Sequence, residues 1–427
     1  MSPVTSQKDA QEEKAGLPLR AKLASSVSKT AAALSRAAGR GDGSVIGGWI
    51  GLKIDPHLLT HLAAGRHVAL VSGTNGKTTT TRLTAAAMGV LGEVATNSLG
   101  ANMPTGHTSA LAKAGRTPYA VLEVDEHYLD QVITATEPRV VALLNLSRDQ
   151  LDRAKEVAMM ASLWRDALRD RATHVVANAD DPMVVWAARA ATRVTWVASG
   201  QRWHDDSWVC PECGSHIDRP DGAGQVDGAW HCTRCDLRRP IPQWSVDGDA
   251  VIDPTGARHP VALQLPGRVN RANAATALAV AAEFGARVAD AVPRLAAVTS
   301  IAGRYATVRR DGRTIRLLLA KNPAGWLEAF DMAEPAPTLL SINARDPDGL
   351  DTSWLYDVDF SPLRGRRVLI TGDRAMDLAV RLEVNDVPFE HVTSFSRAVA
   401  AVPPGRLEVI ANYTAFQDIR AELDRVN

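Results

Sequence analysis

The chain has 427 residues, of which 45% are hydrophobic, and this length allows two to three domains with full cores. Its 48 basic and 48 acidic side chains balance, so the overall charge favours neither nucleic acid nor electrostatic attachment to an anionic membrane. No apolar run approaches the ~20 residues that a membrane span needs. The first sixteen residues also lack the apolar core of a signal peptide, and we therefore expect a cytoplasmic protein.

The N-terminal region is predicted to hold a leader and one helix. Residues 1–16 are polar and are predicted to be disordered. Alanines and leucines then recur at helical spacing from Leu17 to Ala38, and Gly39-Arg40-Gly41 ends the pattern. A glycine-rich link is predicted to follow through Gly51, and we expect a first segment of residues 1–44.

From residue 67 to about residue 200, short apolar runs alternate with helical patterns. Continuous apolar runs of this kind are typical of a parallel sheet covered on both faces, which predicts a doubly wound α/β core. The predicted strands are His67–Ser72, Tyr119–Val124, Arg139–Leu146, His174–Ala177 and Val194–Ala198. The helices predicted between them include Asp152–Arg171 and Pro182–Ala191.

The first of these strands leads into a glycine turn and a helix. Such an arrangement forms a phosphate site, because the turn amides donate to the anion and a lysine adds positive charge. The first hydroxyl after the lysine, on Thr78, is placed to hold a magnesium ion. This compact loop consists of Gly73, Thr74, Asn75, Gly76, Lys77, Thr78 and Thr79. A plain glycine turn before a helix is the alternative.

The four cysteines of the chain form two C-x-x-C pairs. Their spacing is typical of a zinc ribbon, in which four thiolates surround one tetrahedral Zn²⁺ ion. Because protein ligands fill every position, the zinc would be structural and would hold together an insertion at residues 203–244. The predicted ligands are Cys210, Cys213, Cys232 and Cys235. Redox-active or incidental cysteines are the alternative.

The α/β pattern resumes at Val261 and includes a predicted helix at Ala272–Phe284. A second α/β domain is predicted to begin near residue 301. Its strands are Thr314–Leu319, Thr338–Asn343, Arg367–Ile370 and Glu408–Asn412, and its helices are Gly325–Ala333, Met376–Asn385 and Phe416–Arg425. We therefore expect a central domain at residues 45–300 and a C-terminal domain at residues 301–427.

Several polar motifs follow strand ends or open helices, where a doubly wound sheet places its ligand. Glu123 closes a strand, and its carboxylate can reach a magnesium ion held by Thr78; a solvated strand end is the alternative. The other motifs are Asn145-Leu146-Ser147-Arg148-Asp149-Gln150-Leu151-Asp152, Asn178-Ala179-Asp180-Asp181-Pro182, Asn270-Arg271-Ala272-Asn273 and Gly303-Arg304. Asp152 can also be read as a helix cap.

In this order and spacing, the motifs resemble the Mur ligase family, the ATP-dependent amide-forming enzymes of peptidoglycan synthesis. The resemblance implies a Mur ligase-like central domain that uses ATP and Mg²⁺. It implies that the phosphate loop, Asn273 and Arg304 bind the nucleotide. It also implies that Lys77 and Glu123 serve catalysis and that Thr78 and Glu123 bind magnesium.

Several departures argue against an ordinary amino-acid-adding reaction. About 66 residues precede the phosphate loop, too few for the uridine-nucleotide domain of the amino-acid-adding members. Gln150 replaces a metal-binding histidine, and Arg165 stands near the position of a carbamylated lysine. Lys321 replaces the histidine of A-H-N-P, and Ala306 replaces the glutamate of G-R-x-E.

One subgroup of the family resembles this chain throughout and also lacks the uridine-binding domain, the ligase subunit of lipid II isoglutaminyl synthase. The similarity rests on Arg148–Arg153, the four-cysteine insertion and Asp348-Gly349-Leu350-Asp351-Thr352-Ser353-Trp354. It implies ATP-dependent amidation of the α-carboxylate of D-glutamate in lipid II, through an acyl phosphate, at the inner face of the cytoplasmic membrane. Ammonia would come from a GatD-like class I glutamine amidotransferase, whose catalytic site Asp351, or as a second choice Asp348, would complete.

Two other functions stay open from the sequence alone. A folylpolyglutamate-type or amino-acid-adding ligase shares the compact loop, but Gln150, Arg165 and the predicted zinc ribbon argue against it. A non-catalytic ATP-binding subunit would not need the intact loop together with Glu123. For both Asp348 and Asp351, an aspartate that only caps a turn is the alternative.

Overall fold

The structure is a computed structural model that describes residues 17–38, 43–97, 101–149, 157–220, 229–299, 305–310 and 312–425. Three helices precede the first strand: α1 at Leu19–Ala37, α2 at Ser44–Ile54 and α3 at Leu58–Ala63. The predicted glycine-rich link is therefore mostly the helix α2, whose glycines are buried against α1 and α5 instead of breaking the helix. The predicted leader at residues 1–16 lies outside the described residues, as does Gly39-Arg40-Gly41. Within the described part of the chain, no helix combines the length and apolar content of a membrane span.

The central sheet has six parallel strands in the order β2-β3-β1-β4-β5-β6. They are β1 at His67–Ser72, β2 at Val94–Thr96, β3 at Tyr119–Glu123, β4 at Val140–Leu143, β5 at His174–Asn178 and β6 at Arg193–Val197. The helices between them are α4 at Lys77–Met88, α5 at Pro104–Ala114, α6 at Leu129–Thr136, α7 at Val157–Leu168 and α8 at Pro182–Ala188. The parallel α/β sheet is thus confirmed, and β2 escaped prediction because three residues are too few to show a pattern.

Two apolar cores cover the two faces of this sheet. One core is formed by the helices α1, α3, α5, α6, α7 and α8, and Leu111 and Trp164 are fully buried in it. The other joins α4 to two later helices, α9 at Arg268–Glu283 and α10 at Val288–Leu295, through side chains such as Met88 and Leu278. Helices on both faces are the reason why the strands read as continuous apolar runs.

Two small antiparallel sheets lie between β6 and α9. In the first, β7 at Ile217–Asp218 pairs with β8 at His231–Cys232; the second contains β9 at Ser245–Asp247, β10 at Ala250–Ile252 and β11 at Arg258–Pro260. The apolar cluster beside the cysteines is small and contains Val185 of α8 together with Ile217 and Trp230. This insertion therefore packs on the central domain with few apolar side chains of its own.

The second sheet has the order β12-β13-β17-β14-β15-β16, in which β12 and β13 are antiparallel and the other neighbours are parallel. Its strands are β12 at Tyr305–Arg310, β13 at Arg313–Leu319, β14 at Thr338–Ser341, β15 at Val368–Thr371, β16 at Phe389–His391 and β17 at Gly405–Ala411. Its helices are α11 at Pro323–Met332, α12 at Ala375–Val384, α13 at Phe395–Ala401 and α14 at Tyr413–Asp424. The C-terminal α/β unit is confirmed, while the boundary at residue 300 falls outside the described residues and stays a prediction.

A buried ion pair lies in the middle of this second sheet. Arg316 of β13 and Glu408 of β17 are opposite each other in the strand register, and their side chains meet at 2.8 Å. Their exposed fractions are 3% and 0%. The guanidinium also donates to the carbonyl of Met332 at 2.7 Å, which ties the end of α11 to the sheet. Loss of either partner would leave a buried charge unpaired and destabilise this unit.

Candidate active site

Gly73 and Gly76 set the shape of the loop between β1 and α4. Both have positive φ angles, of 149° and 85°. A Cβ on Gly73 would lie 2.8 Å from Cβ of Leu144, and one on Gly76 would lie 2.9 Å from Oδ1 of Asn273. Only glycine is tolerated at both positions, and the loop therefore presents the free amides of a helix N-terminus beside Lys77. This is the geometry that a phosphate group requires.

Asn145 holds the phosphate loop from the neighbouring strand. The amides of Thr74 and Asn75 donate to the Asn145 carbonyl and to its Oδ1, each at 2.9 Å. Its Nδ2 donates to the carbonyl of Asn75 at 3.0 Å. These bonds explain why β4 ends at Leu143, three residues before the predicted end: the chain leaves the sheet to bond the loop. The motif that contains Asn145 was visible in the sequence, but its bracing role was not.

Lys77 is buried at the base of the loop, with an exposed fraction of 4%. Its Nζ donates to the carbonyls of Gly73 at 2.5 Å and Thr74 at 3.3 Å. It also forms an ion pair of 3.0 Å with Oε2 of Glu126, which follows β3. The only signal for Glu126 in the sequence is its place three residues after Glu123.

Glu123 lies at the end of β3, next to Val71 of β1 in the strand register. Its side chain is 1% exposed, and the carboxylate oxygen Oε2 has no hydrogen-bond partner among the described residues. A buried carboxylate oxygen without a partner is costly unless a cation or donor binds it. Glu123 and Thr78, which is buried in the adjacent first turn of α4, can therefore supply the oxygen ligands that Mg²⁺ requires.

The backbone around Glu123 is held rigidly. Asn97 accepts from the Glu123 amide through Oδ1 and donates to its carbonyl through Nδ2, both at 2.8 Å. The ring of His107 meets the same carbonyl at 2.7 Å. Burial lowers the pKa of His107 to about 4, so the imidazole is neutral at pH 7 and donates through Nε2. These contacts position Glu123 at the strand end.

The two aspartates of Asn178-Ala179-Asp180-Asp181-Pro182 brace the region behind the loop. Asp181 caps α8 by accepting from Met183 N at 2.9 Å, and its other oxygen accepts from Leu146 N at 2.9 Å. Asp180 forms an ion pair of 2.8 Å with Arg239 of the insertion. Burial raises the pKa of both carboxyl groups, and the hydrogen bonds and Arg239 oppose that shift. We assign these aspartates a structural role.

A cleft opens beside the phosphate loop. It lies between the two sheets, because α9 and residues near β4 and β6 form one wall and α11 forms another. Its lining includes Asn75, Asn145, Asn178, Trp203, Asn273 and Glu328. Amide side chains, one indole ring and an adjacent phosphate loop suit a nucleoside and its phosphates. The predicted Asn273 is in this cleft, whereas Arg304 lies outside the described residues.

Polar contacts join the two six-stranded sheets beside this cleft. Lys321, the residue that replaces the family's histidine, pairs with Asp149. Arg148 pairs with Asp206 and, at 3.2 Å, with Asp357 that follows the Asp351 segment. The wall that α11 contributes is therefore held against the strand ends by charge and by hydrogen bonds.

The four predicted cysteine ligands converge. Their Sγ atoms lie within 4.8 Å of one another, and the Cys210–Cys235 and Cys213–Cys232 pairs are 3.6 and 3.4 Å apart. A tetrahedral zinc with Zn–S bonds of about 2.3 Å needs sulfur atoms roughly 3.8 Å apart. All four thiols are free of disulfides in this arrangement. The cluster is compatible with a structural zinc ion.

Asp348 and Asp351 lie in different environments. The carboxylate of Asp348 is 8% exposed and accepts from Thr414 N at 2.8 Å and Arg345 N at 3.2 Å. Asp351 is exposed, and its carboxylate accepts from Ser353 N at 2.8 Å, which lowers its pKa. Asp348 is therefore committed to holding the start of α14, whereas Asp351 presents an ionised carboxylate to solvent.

Two further positions noted in the sequence have different outcomes. Arg165 of α7 donates to the Trp186 carbonyl at 2.6 Å, and its guanidinium stacks 4.7 Å from the centre of the Trp186 ring. It is thus a packing residue on α8. Gln150 and Asp152 lie outside the described residues, as does the start of the predicted helix Asp152–Arg171, of which α7 is the described part.

Family models match regions that contain strands of both six-stranded sheets. The Mur ligase middle domain matches residues 71–216, and the MurT ligase C-terminal domain matches residues 319–416. The chain belongs to the Mur ligase family. The phosphate loop, Glu123 and the first two cysteines of the cluster lie within the first match. The Asp351 segment lies within the second.

Curated relatives of this Mur ligase family member extend the similarity to nearly the whole chain. One from Staphylococcus aureus (strain COL), named "Lipid II isoglutaminyl synthase (glutamine-hydrolyzing) subunit MurT", is 28% identical over 428 residues, which cover 93% of this chain and 97% of the relative. A relative of the same name from Streptococcus pneumoniae (strain ATCC BAA-255 / R6) is 29% identical over 412 residues, covering 89% and 92%.

Solved structures share the fold at lower identity. A pseudomurein peptide ligase type C from Methanothermus fervidus has a TM-score of 0.64 and 17% identity, with 85% of this chain and 79% of that chain covered. MurF from Acinetobacter baumannii has a TM-score of 0.60 and 16% identity, with 88% and 80% covered. At these identities the likeness shows the Mur ligase-like fold alone.

Proposed function

We propose that this chain is the ligase subunit of a lipid II isoglutaminyl synthase that consumes ATP and glutamine. It converts the α-carboxylate of D-glutamate in the lipid II stem peptide to the amide of D-isoglutamine. The observation that carries the proposal is a phosphate loop beside a cleft, together with a buried Glu123 oxygen that has no hydrogen-bond partner among the described residues. The names of relatives that match almost the entire chain support the choice of substrate.

The chemistry requires activation of a poor electrophile. The γ-phosphoryl group of ATP passes to the substrate carboxylate, which gives an acyl phosphate and ADP. Ammonia then adds to the acyl carbon, phosphate leaves and the amide remains. Lys77 and the loop amides stabilise the charge that develops on the transferred phosphoryl group. Thr78 and Glu123 would hold Mg²⁺, which adds positive charge at the phosphate oxygens when bound.

The ammonia comes from a separate partner, a GatD-like class I glutamine amidotransferase. Asp351 is proposed to complete the catalytic Cys-His pair of that partner by orienting its histidine. Its exposed, ionised carboxylate supports this choice over Asp348, which is bonded to Thr414. Exposed Leu350 and Tyr356, at 61% and 68%, leave apolar surface on the same segment for a partner to cover.

The remaining parts of the proposal concern metal and place. Cys210, Cys213, Cys232 and Cys235 bind one structural Zn²⁺, which replaces the core that the insertion lacks. The nucleotide occupies the cleft at Asn75 and Asn273, and Arg304 also binds it. The enzyme is cytoplasmic and works at the inner face of the cytoplasmic membrane, where its lipid-linked substrate is found.

The test is reconstitution of the chain with its glutamine amidotransferase partner. Lipid II, ATP, Mg²⁺ and glutamine should yield amidated lipid II, one ADP and one phosphate for each amide, as measured by mass spectrometry and a coupled ADP assay. Omission of ATP or of the partner should stop the glutamine-driven reaction. Transfer of a free amino acid instead of ammonia would show an amino-acid-adding ligase and overturn the proposal.

A further inference from the structure

The two N-terminal helices bury their small side chains and expose their large apolar ones. The buried residues of α1 are Ala21, Ala24, Ser25, Ser28, Ala32 and Ser35, and those of α2 are Gly47, Gly48 and Gly51. The exposed apolar residues are Leu19, Leu23, Leu34, Val45, Ile46 and Trp49, with exposed fractions of 84, 59, 65, 58, 43 and 55%. A surface helix of a globular protein normally has the opposite arrangement.

This arrangement is fixed by close backbone packing. A Cβ on Gly47 would lie 2.7 Å from the carbonyl oxygen of Ser28 on α1. One on Gly48 would lie 1.7 Å from the carbonyl oxygen of Thr105 on α5. The inner faces of α1 and α2 therefore have no room for the large apolar side chains, and rotation of either helix cannot bury them.

The exposed apolar residues lie on one side of each helix. At about 100° per residue, Val45, Ile46, Trp49 and Lys53 fall within roughly 100° of the α2 circumference. Leu19, Leu23 and Leu34 fall within about 60° on α1, opposite its buried stripe. We call these seven residues the α1–α2 face. On α2 the apolar residues are neighbours, and contiguous exposed apolar surface marks a binding site.

The charge of the same segment has one sign. Within the described residues from 17 to 54, the basic side chains are Arg20, Lys22, Lys29, Arg36 and Lys53, and there is no aspartate or glutamate. The chain as a whole has a formal net charge of zero, so this local excess is a property of the two helices. Nζ of Lys53 lies 5.5 Å from the ring centre of Trp49, which places a cation and an indole side by side on the apolar stripe.

We propose that the α1–α2 face docks on an anionic lipid bilayer and lies in its interface. Leucine, isoleucine and tryptophan side chains would enter the boundary between headgroups and acyl chains, while the basic residues contact anionic headgroups. The patch is complementary to negative charge, which an anionic bilayer supplies across the whole of its surface. The inference deepens the proposed function and rests on it in one respect, because the substrate named there is a lipid.

The experiment uses the full chain and vesicles without substrate. Co-sedimentation with vesicles of phosphatidylglycerol and phosphatidylcholine should exceed that with phosphatidylcholine alone, and about 1 M salt should weaken it. Ile46→Asp should reduce binding by tenfold or more, and Lys29→Glu by roughly fivefold to tenfold. The matched controls Ile241→Asp, at an isoleucine 89% exposed elsewhere, and Arg397→Glu should bind as the wild type does.

The outcomes separate this inference from the proposed function. Absence of binding to phosphatidylglycerol vesicles, or equal binding by Ile46→Asp and the wild type, overturns the α1–α2 assignment. Vesicle binding that survives in Ile46→Asp while the glutamine amidotransferase partner is lost also overturns it, because the face would then be a protein interface. Amidation of detergent-solubilised lipid II should be unchanged in both variants. If the wild type binds vesicles but does not amidate lipid II, the proposed function fails and the docking surface stands.

Discussion

Asn75 of the phosphate loop and Asn322 at the start of α11 exchange two side-chain amide hydrogen bonds of 3.3 Å. The two residues follow strands of different sheets and are 247 positions apart in the chain. Asn322 also caps α11 by accepting from Gly325 N at 2.8 Å. The second domain is therefore in direct contact with the loop that is predicted to bind the nucleotide phosphates.

Removal of this link should weaken nucleotide binding more than folding. Asn322→Ala deletes the bridge and the cap, and a typical net hydrogen bond of about 1 kcal/mol predicts a KM for ATP raised roughly fivefold. Steady-state kinetics with lipid II measures the change. Asn385→Ala removes an asparagine that bonds Phe360 N within the second domain and serves as the control. An unchanged KM in Asn322→Ala would show that the bridge does not serve the nucleotide.

Loss of Lys77 should stop amidation. Lys77→Ala removes the cation at the loop where phosphoryl charge develops, and we expect a fall in rate of about 10²-fold or more. The partly buried Glu126 also loses its partner, so thermal unfolding should be followed alongside the assay. The fold and the partner complex should be retained, as with Lys113→Ala at the exposed end of α5. A normal amidation rate in Lys77→Ala would remove Lys77 from the mechanism.

The cysteine cluster should hold about one zinc per chain. Elemental analysis of the purified protein measures the metal, and Cys210→Ser should release it. Because the cluster packs on Val185 of α8, the variant should unfold several degrees lower while the KM for ATP changes little. Cys210 lies in a cluster of four free thiols, and a purified protein with no metal and a disulfide instead would contradict the assignment.

The role of Asp351 should depend on the nitrogen source. Asp351→Asn should abolish glutamine-driven amidation, since an orienting carboxylate can be worth orders of magnitude in rate. High ammonium should restore the product, because the ATP site is elsewhere. Asp359→Asn is a matched control, since Asp359 is exposed and accepts from Ser361 N at 2.9 Å in the same way. Equal loss with both nitrogen sources would place Asp351 in the ligase chemistry or the fold.

Glu328 in the cleft should make stability depend on pH. Burial and the neighbouring Asp331 raise its pKa to about 7, above the 4.5 of an ordinary glutamate. Between these values the folded chain holds more protons than the unfolded one, so ionisation of Glu328 lowers stability as pH rises towards 7. Glu328→Gln should therefore raise the Tm more at about pH 8 than at about pH 5.

Thermal unfolding at the two pH values measures this difference. Glu383→Gln, at an exposed glutamate of α12, is the control and should show the same small change at both. A gain for Glu328→Gln that is equal at both pH values would mean that the charge of Glu328 does not oppose folding.

Features that depend on neighbours along the chain were predictable. The apolar runs of β1, β3 and β5 predicted a parallel sheet because burial on both faces leaves no polar alternation. The glycines of the phosphate loop predicted its shape, because glycine adopts positive φ angles without steric cost. The cysteine spacing predicted convergence of four thiols, and the structure brings their sulfur atoms together.

Contacts between distant segments were decided by the tertiary structure alone. Glu126 meets Lys77 because β3 is next to β1 in the sheet, and Asn145 braces the loop because β4 is on the other side of β1. Asp348 and Asp351 lie in the same short segment, and the sequence does not show which of them is bonded. The fold brings Thr414 to Asp348.

The N-terminal helices show the same division. Their sequence determined that α1 would be helical and basic. Only the packed structure decided that glycines and alanines face the body and leave Ile46 and Trp49 exposed. The physical reason is that helical periodicity defines which residues share a face, whereas the steric limits of the opposing backbone decide which face is buried.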